Sequence, residues 1–338
     1  VFDLREVFDP MADGFLMSIA EQSAHFLARE HTGRPTGPVL GPSAWTGAEL
    51  GPPDVWAERL TPELISSLET KMTTLEGRSV DGLTMADAVL PGFEAHVDGW
   101  REELLRGRGI LVLKGVPVDR WSPAQQQLFM RLLGLQFGRL GYQNPQGDVI
   151  GEVRDTGADK RDRFARLYAT AGEFRFHCDA SDLVGLLCVR PAAEGGQSKV
   201  ASSVTVYNEL LRRRPDLAAR MFEPIALDLR NEQQPDAPPV AYIAPCAYAD
   251  GVLKTLYLSD YFRTAARHID LPPKDLELFD LYDAIAEEPG IGLSFFLEPG
   301  DVQILYNHTM LHARTAFRDA PGEERLLLRF LVSVGVSN

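Results

Sequence analysis

The sequence predicts a mainly β fold with flanking helices, a sandwich or jelly roll rather than a parallel α/β sheet. Short apolar or alternating runs bounded by Gly, Pro and Asp dominate from about residue 140 onward. Helical spacing is confined to the first third and to two later insertions, instead of alternating with strands as βαβ units require. The 338 residues are 45% hydrophobic, enough for one sizeable core, and no linker is long enough to separate two independent domains. The expected division is a mostly helical region over residues 1–108, packed on a jelly-roll core with helical insertions over 109–338.

Along the chain, residues 14–30 have helical apolar spacing. The Gly/Pro-rich stretch 33–53, with Trp45 and Trp56 in or near it, reads as a loop packed onto the surface. Thr61-Pro62-Glu63-Leu64 is a helix start with Pro at an early position. A further helix covers 93–106 and stops at Gly107. The apolar run 109–115, bounded by glycines, is a buried strand, and Ser122-Pro123 opens a helix over 122–138. Strands are expected at 149–153, 183–189, 199–202, 241–244, 252–258, 292–297, 302–306 and 326–334. Helices at 206–222 and, after Pro272-Pro273, at 274–288 interrupt them.

The net charge of -14, from 34 basic and 48 acidic residues, argues against nucleic acid or an anionic membrane as partner. A pocket inside an acidic protein can still be basic, so a small anionic substrate is compatible. Cys178, Cys188 and Cys246 form a sparse, odd set without CxxC, which reads as reduced thiols in the cytoplasm. No signal peptide is expected, and no apolar run is long enough to span a bilayer. Homo-oligomerisation is left open.

Two imidazoles and a carboxylate on one face of a metal leave adjacent positions open for cosubstrate and dioxygen. On a strand, His-x-Asp supplies two of these ligands at once, because residues i and i+2 share a side. The spacing occurs three times, as His96-Val97-Asp98, His177-Cys178-Asp179 and His268-Ile269-Asp270. His96 lies in a helical pattern, where i and i+2 diverge. His268 ends a helix, where a cation suits the dipole. His177 follows the extended Glu173-Phe174-Arg175-Phe176 and precedes the strand at 183–189. Both His308 and His312 lie downstream, and alternation alone does not separate them.

Several pieces occur together and in order: Phe176-His177-Cys178-Asp179, Gly195-Gly196-Gln197-Ser198, Asn307-His308-x3-His312-x-Arg314-Thr315-x-Phe317 and Arg325-x3-Arg329. With Leu140-Gly141-Tyr142-Gln143-Asn144, Gly151-Glu152-Val153-Arg154-Asp155 and Gly41-Pro42-Ser43-Ala44-Trp45, they span nearly the whole chain. In these pieces the chain resembles the taurine dioxygenase and chlorophenoxyacetate dioxygenase family of the clavaminate synthase-like group. The resemblance implies a double-stranded β-helix, with iron(II), 2-oxoglutarate and dioxygen as cofactor and cosubstrates.

It further implies His177, Asp179 and His312 as iron ligands, since the family places the distal ligand directly before Ala/Gly-Arg-Thr. Arg325 would bind the distal carboxylate of 2-oxoglutarate, where a planar guanidinium can make two parallel hydrogen bonds. Ser198 would help to hold it. Arg329, four residues on and facing the same side of a strand, would meet an acidic substrate group or a structural carboxylate. Tyr142, Gln143 and Asn144 are candidate substrate contacts. Arg314 is expected to be structural, and Cys178 to point away from the metal.

The implied reaction couples decarboxylation of 2-oxoglutarate, to succinate and carbon dioxide, with oxidation of a small organic substrate such as an acid or a natural-product intermediate. Hydroxylation is the expected outcome, and desaturation, cyclisation and epoxidation share the same ligands. The carboxylate at Asp179 argues against halogenation. The alternatives are a cupin-type metal enzyme that does not use 2-oxoglutarate and a non-catalytic jelly-roll binding protein. Arg325 and Ser198 distinguish the first, which needs no carboxylate clamp.

Overall fold

A computed structural model describes residues 16–78, 83, 86–144, 146–157, 170–230 and 237–335. Strand β1 (Leu16–Met17) leads into α1 (Ile19–Leu27). The start is set by a capping box: Ser18 Oγ accepts from the Glu21 amide, and Glu21 accepts from the Ser18 amide at 2.8 Å. The expected helix is therefore shorter than residues 14–30, and residues 14–15 lie outside the described residues. Next come α2 (Gly47–Leu50), β2 (Glu58–Arg59) and α3 (Pro62–Thr74), whose N-cap is Thr61 with Pro62 in the first turn. The expected packing of the loop before α3 holds: Trp45 is buried, and its indole N–H donates to the Arg108 carbonyl at 2.8 Å.

Helix α4 (Glu94–Leu105), β3 (Ile110–Lys114) and α5 (Pro123–Leu135) follow, and α5 also starts on a capping box, at Ser122 and Gln125. Then come β4 (Arg139–Gly141), β5 (Gly151–Val153), β6 (Phe174–His177), β7 (Leu183–Arg190), β8 (Glu194–Gly195) and β9 (Ser198–Ser202). The single helix expected at 206–222 is two, α6 (Ser203–Arg213) and α7 (Pro215–Arg220), because Pro215 cannot continue the ladder. Hairpins β10 (Ile225–Asp228) with β11 (Val240–Ile243) and β12 (Cys246–Ala249) with β13 (Val252–Thr255) come next. The chain ends with α8 (Ser259–Thr264), α9 (Pro273–Glu287), β14 (Leu293–Phe295), β15 (Val302–Tyr306), β16 (Met310–Arg314), β17 (Phe317–Arg318) and β18 (Leu326–Ser333).

Two sheets form the core. The larger has the order β1-β4-β18-β7-β15-β3-β2, with β5 also on β18, and the smaller has the order β14-β9-β16-β6. Helices α3, α4 and α5 cover the outer face of the large sheet with Leu68, Trp100 and Phe129. Helices α6, α7 and α9 cover the small sheet with Tyr207, Leu217 and Phe279. A third group, including Trp45, Val184, Val200, Leu305 and Met310, fills part of the space between the sheets. The expected β core with flanking helices is thus observed.

Strand alternation aims the site. On β18, Leu328, Phe330 and Val332 enter the helix-backed core, whereas Arg325, just before the strand, and Leu327, Arg329 and Leu331 face the space between the sheets. On β16, Leu311 enters the outer core while His312 and Arg314 face inward.

Candidate metal centre and its two cavities

His177 and His312 are direct cross-strand partners on β6 and β16. Their rings lie 4.1 Å apart between centroids. A register irregularity between His312 and Arg314 lets Phe174 and His177 share the inner face although they are three residues apart. Phe176 is turned outward into the helix-backed cluster. Asp179 lies beyond the end of β6, with an oxygen 3.7 Å from His312 Nε2. One ligand atom from each of His177, Asp179 and His312 lies within 4.8 Å of the others, which suits one metal ion. Two nitrogens and one carboxylate oxygen match the donor preference of iron(II).

The surroundings hold these donors in place. His177 Nδ1 donates to the Arg175 carbonyl at 2.8 Å, which leaves Nε2 with its lone pair toward the centre. Burial lowers the His177 pKa, and burial together with the adjacent His177 pushes His312 down to about 3. Both shifts favour the neutral rings that ligation requires. The Asp179 amide donates to Asn307 Oδ1 at 3.3 Å, and Asn307 Nδ2 donates to the Ser181 carbonyl at 2.9 Å. Arg329 approaches Asp179 at 3.9 Å and donates through Nε to Gln143 Oε1 at 2.8 Å.

His308, the rival of His312, is elsewhere. It precedes β16, stacks on Phe26 and donates to Asp182 at 2.7 Å. The other His-x-Asp pairs are accounted for as well. His96 is on α4 and bonds Glu58 at 2.8 Å, and His268 bonds Asp228 at 3.3 Å. Cys178 points away from the centre into a cluster with Phe26 and Leu256, and burial pushes its thiol up to about 12.

Two cavities meet here, sharing Phe174, His177 and Arg329. The smaller, about 50 Å³, is lined by Ser198, His312, Arg314 and Arg325 between apolar walls that include Val153, Leu186 and Leu327. Arg325 is only 5% exposed, its guanidinium lies over the Phe317 ring, and its NH1 group has no partner among the described residues. A buried guanidinium without an anion is costly, so this end of the cavity is built for one. Arg314 also lies over Phe317 and donates to the Thr170 carbonyl at 2.7 Å, the structural role expected of it.

The turn before Ser198 interlocks with the segment after His312. Gln197 N donates to Thr315 Oγ1 at 2.9 Å, and Thr315 N donates to the Gln197 carbonyl at 3.1 Å. Gly195 has φ 69°, and a Cβ there would lie 2.1 Å from the Ala316 carbonyl oxygen, so no side chain fits.

The larger cavity, about 210 Å³, is lined by Asp179 and by segments from across the chain, among them Ile19, Tyr142, Gln143, Leu229, Ile243 and Asp260. Asn144, expected beside Tyr142 and Gln143, does not line it. Its side chain closes a turn, donating to Asp148 at 2.7 Å and accepting from the Gln146 and Asp148 amides. Asp228, Arg230 and Asp260 also line the cavity, and no spacing motif marked them. Asn307 stands within its motif without an assigned role, and Gln303 carries none. For Gln303 a signal existed, a lone amide inside the apolar run Val302-Gln303-Ile304-Leu305.

Among the described residues no helix is long and apolar enough to cross a membrane. A sequence profile of the family described as taurine catabolism dioxygenase TauD, TfdA matches residues 79–331. The chain is 30% identical to FR-33289 synthase of Streptomyces rubellomurinus over 309 residues, covering 88% of this chain and 91% of that protein. It is 25% identical to a taurine hydroxylase-like protein of Stachybotrys chartarum over 324 residues, covering 90% and 82%. An asparagine oxygenase solved with Fe(II), 3-hydroxyasparagine and succinate shares the fold, with a TM-score of 0.66 at 15% identity, covering 82% of this chain and 93% of that one. The chain thus belongs to the TauD, TfdA dioxygenase family and is an iron(II)- and 2-oxoglutarate-dependent oxygenase.

Proposed function

We propose that this enzyme hydroxylates a small organic molecule held in the larger cavity, with iron(II) on His177, Asp179 and His312 and 2-oxoglutarate in the smaller cavity. The observation that carries the reading is the meeting of two cavities at the three donors, one of them ending at the buried Arg325, whose NH1 has no hydrogen-bond partner among the described residues. Iron(II) and 2-oxoglutarate together supply the activation of dioxygen, with succinate and carbon dioxide as coproducts.

The chain's own residues bind and orient. His177 and His312 offer neutral nitrogens, and the hydrogen bond from Nδ1 to the Arg175 carbonyl fixes the His177 tautomer. Arg329, braced by Gln143, orients Asp179, and this favours a structural partner for Arg329 over an acidic substrate group. Arg325 takes the distal carboxylate of 2-oxoglutarate, with Ser198 beside it. Phe174, Leu186 and Leu327 keep the region dry, which strengthens every polar contact within it.

On the substrate side, apolar Ile19, Leu229, Ile243 and Leu331 surround a few polar groups, including Gln143 and Asp260. This suits a compact molecule with an apolar body and polar ends. A small acid or a natural-product intermediate is the substrate class this mixed lining fits.

The test is to load the protein with iron(II) and 2-oxoglutarate without oxygen, admit oxygen and measure succinate. Slow succinate release, lost in Asp179→Ala, is expected. No succinate together with no binding of 2-oxoglutarate sinks the reading.

A further inference from the structure

We infer that Gln303 is a positioning residue for the carboxylate end of 2-oxoglutarate, acting through the Ser198 hydroxyl. The inference rests on the reading that Arg325 and Ser198 receive that carboxylate. On β15, Val302 and Ile304 enter the helix-backed core, so alternation turns Gln303 to the opposite face, between the two sheets. Its cross-strand partner on β7 is Leu186, a wall of the smaller cavity. Gln303 is 1% exposed. Its Oε1 accepts from Ser198 Oγ at 2.6 Å, joining β15 of the large sheet to β9 of the small one. Its Nε2 has no partner among the described residues.

A buried amide with unused N–H groups needs a reason in a site this dry. With the amide turned this way, the Ser198 hydrogen is spent on Gln303. The serine then offers only lone pairs to a carboxylate arriving beside Arg325, which is repulsive. A half-turn of the terminal amide exchanges its oxygen and nitrogen. Nε2 then donates to Ser198 Oγ, and the serine hydrogen is released toward the carboxylate. Donors run in one direction, from Gln303 Nε2 to Ser198 Oγ to the carboxylate, and Oε1 takes the place Nε2 held, where an unpaired carbonyl is tolerated better than an unpaired N–H. No covalent bond changes. Gln303 thereby decides whether Ser198 repels or holds the cosubstrate.

The test measures 2-oxoglutarate dissociation constants for anaerobic, iron(II)-loaded protein by calorimetry, alongside melting temperatures. Gln303→Leu removes the group that orients Ser198 but also the acceptor that competes for its hydrogen, so it is expected to weaken 2-oxoglutarate only about threefold. Ser198→Ala is expected to weaken it about tenfold, the scale of one hydrogen bond to a charged group, and the double variant no more than Ser198→Ala. Gln303→Glu keeps the shape but can only accept from Ser198, so it is expected to weaken binding about a hundredfold, combining a locked serine with like-charge repulsion. It carries the test if the leucine variant does not fold. Normal 2-oxoglutarate affinity in the Gln303 variants, or losses that simply add in the double variant, overturns the inference, because a packing role would lower only the melting temperature. Arg325→Ala separates the two levels. If it binds 2-oxoglutarate normally, the reading of the smaller cavity fails. If it loses binding while the Gln303 variants do not, only the relay fails.

Discussion

The two cavities that meet at His177 are built differently. The smaller one draws its polar residues from four compact stretches, Phe174 to His177, Gly195-Gly196-Gln197-Ser198, His312 to Phe317, and Arg325 to Arg329, which lie on paired strands or lock through the Gln197–Thr315 hydrogen bonds. The larger one is assembled from α1, the loop after β4, β10, β11 and α8, segments separated by more than 100 residues in places. The first is tied by strand pairing and ends at Arg325, whose NH1 has no partner among the described residues. The second has many walls and several polar groups, no one of which dictates a ligand. Chemistry common to a family can be held by short local pieces, while the choice of substrate depends on parts that only the fold brings together.

Variants can break or sharpen that contrast. The largest effect is expected for Asp179→Ala, which removes the carboxylate donor and should abolish iron retention and lower succinate formation by at least about 100-fold, read by metal analysis and coproduct release. Arg325→Ala comes next. Losing a buried charged contact of about 3 kcal/mol should raise the KM for 2-oxoglutarate about 100-fold, with a much smaller change in iron affinity. Equal losses of both would place the clamp on another arginine. Gln143→Leu removes the hydrogen bond with Arg329 Nε and loosens the guanidinium beside Asp179, and about a tenfold loss of iron affinity or turnover is expected. Ile243→Trp fills the larger cavity, so once a substrate is known the ratio of succinate to oxidised product should rise.

The smallest effect concerns pH. His308 is buried against Asp182, and burial lowers its pKa to about 4, below the value of about 6.5 for an unfolded histidine. Between these values the unfolded chain takes up the proton first. Stability from the neutral ring is therefore present above pH ~6.5 and lost as pH falls toward 4. Asp182 also holds His25, whose pKa is raised chiefly by that hydrogen bond. Stability from the charged His25 runs the opposite way and is lost as pH rises through its folded value. A fall of a few degrees in the melting temperature of metal-free protein between pH 7 and 5 is expected, reduced in His308→Asn.

The same contrast explains what could be read from sequence. His177, Asp179 and His312 stood out through ordered company, and Arg325 through its place after them. The spacing His-x-Asp alone was not enough, since His96 and His268 share it and are occupied with Glu58 and Asp228. Strand β16 went unrecognised because its Met-Leu-His-Ala-Arg pattern is short and mixed, yet it carries a donor. Asn144 was misplaced because a polar residue after a strand closes a turn as readily as it faces a ligand. Asp228, Arg230 and Asp260 left no local signal at all, since tertiary packing alone sets them around one space.

The most direct measurement is a crystal structure of the protein with iron(II) and 2-oxoglutarate, grown without oxygen. Iron bound by His177, Asp179 and His312, with the distal carboxylate on Arg325 and Ser198 and the larger cavity open beside it, is the predicted result. The carboxylate in the larger cavity, or iron on any other donors, would contradict the division of labour between the two cavities.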